Sequence, residues 1–158
     1  MGIFDRAYET NKRRIENANA PDSFKDFKAV KIKDVTDIIE IKDCYVKVYA
    51  KLDKDDKGNF IKDENGKYKT VKFTDADGKE REVLGSVIFV AFGNNQYFAS
   101  TSRPLINQIR VIDDSIDLKT IGMYHVDNVI GNKVKISYIP VPYKDGKEYD
   151  NPIFIDVE

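Results

Sequence analysis

Tyr45, Lys47, Tyr49 and Lys51 alternate along one stretch of this chain and offer the most readable chemistry in it. A strand turns alternate side chains to one face, so two rings and two ammonium groups share a surface. Flat rings give the bases of a flexible nucleic-acid strand something to stack on, at about 1 to 3 kcal/mol per base, while cations track its phosphates. Tyr68, Lys69, Lys72 and Phe73 repeat the mixture downstream, and Tyr97, Arg103 and Tyr138 extend it. The same residues also have a plainer use. Tyr favours strands, and Lys on a solvated face discourages edge-to-edge association.

Catalytic and metal-binding sets are harder to assemble. His125 is the only histidine, and no Cys or acid stands at metal-ligand spacing from it, so it reads as a strand residue. Cys44 falls on an apolar alternation, where a buried structural thiol is expected. Neither a phosphate-cradling GxxxxGK[ST] nor a GxSxG motif occurs. Asp53 to Glu64 imitates a calcium loop, with acids at its first, third and twelfth positions and Gly58 at the sixth. Lys57, however, occupies the fifth position, which must supply an oxygen. The expectation is a protein that is not an enzyme, with no cofactor, no metal and no small-molecule substrate.

The elements that would position these residues follow from periodicity. Residues 37 to 52 alternate as a long half-buried strand, whose other face reads Cys44, Val46, Val48, Ala50 and Leu52. Residues 53 to 80 carry three turn signals, DDKGN, DENGK and DADGK, and read as a charged hairpin excursion. Strands are expected at 83 to 92 and at 96 to 100, then a helix capped by Thr101 or Ser102, with Pro104 in its first turn. Leu105, Ile106, Ile109 and Ile112 recur there at helical spacing. Two more strands are expected at 120 to 127 and 133 to 139. The order is three strands, a helix, then two strands. That order predicts a mainly β fold with minor α, a five-stranded OB-type Greek-key barrel whose helix lies between strands 3 and 4. A small β-sandwich and an SH3-like barrel are the alternatives. In an OB barrel the ligand crosses strands 2 and 3 between two loops, here the excursion and the loop at 128 to 133.

The flanks differ from this centre. Residues 2 to 17 place Ile3, Phe4, Ala7, Tyr8 and Ile15 near one helical face, and Pro21 then breaks the pattern. Residues 1–33 are therefore read as a helical arm and linker, 34–140 as the barrel, and 141–158 as an acidic tail with one further edge strand at 153 to 157. An arm with its own apolar face predicts self-association. The first residues mix charge into the sequence and so do not read as a signal peptide.

Composition sets the outer bounds. At 158 residues, with 41% apolar and 34% charged residues, the chain suits one compact domain with a charge-rich surface. No apolar run approaches the ~20 residues that would span a bilayer, so no membrane partner is expected. One cysteine permits no internal disulfide, which points to a reducing, cytoplasmic setting. The net charge of -1 argues against a general attraction to phosphate; without residues 140 to 158 the chain holds 24 basic against 22 acidic residues, a net of +2.

The stretches VIFVAFGNNQYFASTSRPLINQI and KTIGMYHVDNVIGNKVKISYIPV, within residues 37 to 140, resemble the small OB-fold single-stranded DNA-binding proteins of phages and conjugative plasmids of Gram-positive bacteria. The resemblance implies sequence-tolerant coating of single-stranded DNA, by an oligomer, during phage or plasmid DNA replication or transfer. RNA is a second strand that the same stacking chemistry accepts. The acidic end NPIFIDVE lacks the low-complexity linker and final aromatic residue by which such tails recruit partners. The competing expectation is a non-catalytic structural or protein-interaction component of a phage or mobile element.

Overall fold

The computed structural model describes residues 20–157; the segment read as an amphipathic helix, 2 to 17, lies outside them. A 3-10 turn at Asp22–Phe24 leads into β1 (Lys28–Ala29), a second 3-10 turn at Ile32–Asp34 and the long β2 (Ile39–Ala50). A small hairpin, β3 (Lys72–Thr74) and β4 (Glu80–Glu82), precedes β5 (Leu84–Phe92) and β6 (Gln96–Ser100). Helix α1 (Arg103–Ile112), β7 (Gly122–His125), β8 (Lys133–Pro142) and β9 (Glu148–Asp156) complete the order. The fold is mainly β with one described α-helix.

The principal sheet runs β1-β6-β5-β2-β8-β9, with β7 also paired to β2. β2 is its axis. One edge of β2 pairs antiparallel with β5 from Ile41 to Ala50, and the other pairs with β7 at Tyr45–Val48 and with β8 at Ile39–Glu40. Sharing one strand between two directions of pairing curls the sheet into a half-barrel. Among the described residues this sheet holds seven strands where five were expected. β1 contributes two residues in parallel to β6, too few to show periodicity, and β9 lies in the acidic segment.

The interior of the curl holds Ile39, Ile41, Cys44, Val46, Ile88, Val90 and Phe98, closed by Leu105, Ile106 and Ile109 of α1. Ile39 and Ile41 are odd-numbered whereas Cys44, Val46 and Val48 are even. A β-bulge between Ile41 and Asp43 reconciles them, because the extra residue, Lys42, reverses the phase of the pleat. The outer face is also partly covered. Phe24, Val87, Phe89 and Ala91 form a second buried cluster, so β5 is enclosed on both sides and its sequence is a continuous apolar run. The stretch read as a linker is thus packed on the sheet from Ala20 to Phe27.

Ser102 caps α1, its Oγ accepting from the Leu105 N–H at 3.3 Å and donating to the Pro152 carbonyl at 2.9 Å. Ile112, read as part of the apolar face, is exposed, since the helix ends there and its last turn runs past the core. β9 begins at Glu148, earlier than expected, and pairs with β8 along its length. Gln108 binds the edge of β9 with both ends of its side-chain amide: Nε2 donates to the Phe154 carbonyl at 2.9 Å, and Oε1 accepts from the Phe154 N–H at 2.8 Å. The Tyr143 N–H donates to the Lys147 carbonyl, so odd-numbered residues of β8 point their backbone groups at β9. Pro140 and Pro142, being even, sit where a missing N–H costs no ladder bond.

The excursion is ordered by two closed rings of backbone hydrogen bonds. Lys51 donates to Val83, Val83 to Val71 and Val71 to Lys51; above this, Asp53 donates to Lys69, Lys69 to Ile61 and Ile61 to Asp53. Three strand segments thereby satisfy one another with little apolar burial. Their tips are the turn signals themselves. In each, an Asp Oδ1 (Asp55, Asp63 or Asp75) accepts from the N–H groups two and four residues on, and Gly58, Gly66 and Gly78 take positive φ.

Candidate functional site

The strand pattern of β2 puts Tyr45, Lys47 and Tyr49 on the outer face of the sheet, but they do not form one open surface. Tyr45 is half-buried: the Phe24 ring meets it edge-on at 5.6 Å, and the His125 imidazole stacks on it at 4.6 Å. His125 Nε2 lies 2.7 Å from Asp43 Oδ1, which also accepts from the Cys44 N–H. Phe24 likewise lies 5.5 Å from Tyr97. Both rings are engaged in fastening residues 20 to 27 to the sheet. Lys47 stands between Val87 and Met123 in the register, and burial there holds its ammonium below the usual lysine range.

Beyond Phe24 the same face opens into a cleft of about 990 Å³ at the carboxyl end of β2. Its floor is Tyr49, Gly85, Ser86, Val87 and Ala99, from β2, β5 and β6. The excursion forms one wall with Lys54, Phe60, Tyr68 and Val71; Thr101 and Arg103, at the entry to α1, and Tyr143, at the tip of the β8–β9 hairpin, form the other. Among the described residues, four rings (Tyr49, Phe60, Tyr68 and Tyr143), three cations (Lys51, Lys54 and Arg103) and one acid, Asp53, meet here.

The rings on the excursion wall are held by lysines of the same hairpins. Lys54 Nζ lies 5.5 Å from the centre of the Phe60 ring, and Lys62 Nζ lies 5.2 Å from that of Tyr68. Both contacts span isolated bridges, Lys54 to Phe60 and Lys62 to Tyr68, so backbone pairing sets them. Tyr143 is 65% exposed and meets Tyr149 edge-on at 5.8 Å; the Tyr149 hydroxyl donates to Asp145 Oδ2 at 2.6 Å.

Of the residues singled out in the sequence, Tyr49, Lys51, Tyr68 and Arg103 line this cleft. Tyr45, Lys47 and Tyr97 lie on the covered part of the same face. Lys69 enters the upper hydrogen-bond ring through its backbone and does not line the cleft. Lys72 and Phe73 belong to the β3–β4 hairpin, where Lys72 pairs with Glu80 at 3.7 Å and Phe73 is exposed. The loop at 128 to 133, expected beside the ligand, is at the opposite end of β2: the Ile41 N–H donates to the Asn132 carbonyl, and Gly131 donates back to Ile41. Twelve residues of strand, about 36 Å, separate the two ends. Phe60, Lys54 and Tyr143 were not singled out in the sequence. Their recruitment depends on how two hairpins fold toward each other; the repeated D-x-x-G turns marked the excursion as exposed, whereas the segment carrying Tyr143 was read as an acidic tail.

The chain matches no protein-family model, no curated protein and no solved structure. Cys44 is fully buried, and burial pushes its thiol up to about 12, which removes it as a nucleophile at neutral pH. Among the described residues no group of three or more His, Cys, Asp or Glu side chains is placed to hold a metal, and no helix is long and apolar enough to cross a membrane.

Proposed function

We propose that this protein binds single-stranded nucleic acid, DNA in the first instance, in the cleft between the excursion and the β8–β9 hairpin. The observation that carries the reading is the convergence of four aromatic rings and three cations on one open cleft. Rings accept any base by its face and cations accept any phosphate, so the site favours sequence-tolerant binding without catalysis. The half-barrel suits this use as an OB-type barrel. β2, β5 and β6 form a meander, α1 follows the third of these strands, and β7 returns antiparallel to the first. Coating of a strand by several copies, with residues 1 to 19 as the joining arm, is the oligomeric form of the same proposal.

The test is fluorescence anisotropy of a labelled poly-dT strand of ~30 nucleotides, with duplex of equal length as control. The expected result is submicromolar affinity for the single strand and weaker binding to duplex. Replacing Tyr68 and Tyr143 together with Ala is expected to weaken binding about 10-fold or more while the fold persists, because both rings are exposed. Tyr45 is the wrong residue for such a test, since its ring also anchors Phe24. Absence of binding at low salt would overturn the proposal. It would favour a protein-interaction role, for which the exposed Tyr138, Ile139 and Tyr149 of the β8–β9 hairpin are the specific surface.

A further inference from the structure

Gly85 is a glycine whose backbone does not require one. Gly58, Gly66, Gly78, Gly93, Gly131 and Gly146 all take positive φ, whereas Gly85 lies in β5 and does not. A glycine inside a strand weakens it, and such a position often marks the close approach of another group. Here that group is Tyr49, directly opposite in the register. A Cβ on Gly85 would lie 2.8 Å from Tyr49 Cζ, 2.9 Å from its hydroxyl oxygen and 3.1 Å from Cε2. No real Cβ sits so close. Cζ is the nearest atom although it has substituents on either side of it. The approach is therefore onto the face of the ring and not onto its edge. At Gly122, which also lacks positive φ, the nearest ring atom would be an ordinary 3.9 Å away.

We infer that Gly85 is the positioning residue of the cleft: it lets the Tyr49 ring lie flat on the β5 backbone, so that the opposite ring face forms a fixed stacking platform for one nucleobase. The inference rests on the proposed function and names the subsite within it. Tyr49 and Gly85 are both in the floor of the cleft, and Lys51, just past the end of β2, lines the same cleft and supplies a cation for a phosphate. Phe60 and Tyr68 stand on hairpins outside the principal sheet, whereas the Tyr49 ring is seated on its central strand pair. A methyl at position 85 lifts the ring off the backbone and into the space the base would occupy. Gly85 touches no ligand itself and acts through Tyr49.

The experiment measures poly-dT affinity by anisotropy for the wild-type chain, Tyr49→Leu, Gly85→Ala and the double variant, with urea unfolding of each. Tyr49→Leu and Gly85→Ala are each expected to weaken binding about 10-fold, the worth of one stacked base. The double variant is expected to bind no more weakly than Tyr49→Leu alone, because with the ring gone the methyl has nothing to displace. Urea unfolding separates the two causes: a variant that stays folded under the titration conditions has lost affinity through the ring and not through stability. Gly85→Ala binding as wild type, or losses that add in the double variant, would overturn the inference while leaving the nucleic-acid reading in place. A wild-type chain that binds no single strand overturns both. Should Gly85→Ala fail to fold, the double variant decides, since the shorter side chain brought in by Tyr49→Leu relieves the clash: affinity equal to that of Tyr49→Leu alone sustains the inference, and a further loss refutes it.

Discussion

At the scale of single residues, the chemistry of this chain is governed by what covers each group. Cys44 has no exposed surface, and burial, with a smaller contribution from the Asp43 carboxylate, raises its thiol from 9.0 to about 12. The folded state therefore holds a proton that the unfolded chain releases above pH 9. The corresponding stability is fully present below pH 9 and is lost as pH rises through about 12. Cys44→Val is expected to flatten this alkaline loss, measured as the urea midpoint between pH 8 and 11. The native thiol is likewise expected to resist alkylation at pH 8 until urea unfolds the protein. A thiol that reacted at the rate of free cysteine would show that β2 opens locally. Tyr45 and Tyr49 show the same rule from the other side. They are two residues of one type on one strand face, yet Phe24 takes up the first and the cleft receives the second.

At the scale of elements, the β8–β9 hairpin is held by polar ties to α1 as well as by Val134, Ile136 and Phe154 in the core. An isolated two-stranded hairpin is marginal in water, and this one is tied to α1 by Gln108 and Ser102. Gln108→Leu removes both partners of the Phe154 backbone. It is expected to cost about 1 to 3 kcal/mol in chemical denaturation and to accelerate amide exchange at Phe154 ahead of the rest of the sheet. An unchanged exchange rate there would mean that packing of Phe154 on Phe98, at 6.2 Å, holds the strand without the amide. The excursion solves its edges differently. Its two hydrogen-bond rings leave the ringed residues with both donor and acceptor engaged, so the segment is ordered though charged.

At the scale of the whole molecule, a net charge of -1 leaves no broad attraction to a polyanion, so affinity must come from local placement of charge. Among the described residues three cations line the cleft. Each phosphate neutralised on a single strand contributes about -0.7 to the slope of log K against log salt, so a slope of about -2 is expected. Anisotropy titrations across a series of sodium chloride concentrations measure it. A slope of about -4 or steeper would bring in cations beyond the cleft, such as Lys62, whose ammonium lies over the Tyr68 ring. A slope near zero would leave stacking alone. The same arithmetic separates this site from a basic groove, which would give a much steeper dependence.

The sequence by itself determined the elements. Alternation marked β2, an unbroken apolar run marked β5, and Ser102 with Pro104 marked the start of α1; the three Asp-Gly turns sit where their residues demanded. These are local matters, decided by pleat, cap and φ within a few residues. Half of the cleft was legible for the same reason, because Tyr49, Lys51, Tyr68 and Arg103 lie on or beside elements whose facing can be counted. Only the tertiary structure decided the rest. Phe24, some 20 residues before Tyr45, closes the first part of the face. Tyr143, more than 90 residues after Tyr49, reaches the second. The bulge at Lys42 reverses the phase of β2, and a ring lying flat on Gly85 gives that glycine its reason. Contacts between distant segments leave no period in a sequence, and they determine which of two equivalent tyrosines is covered and which is left in the floor of the cleft.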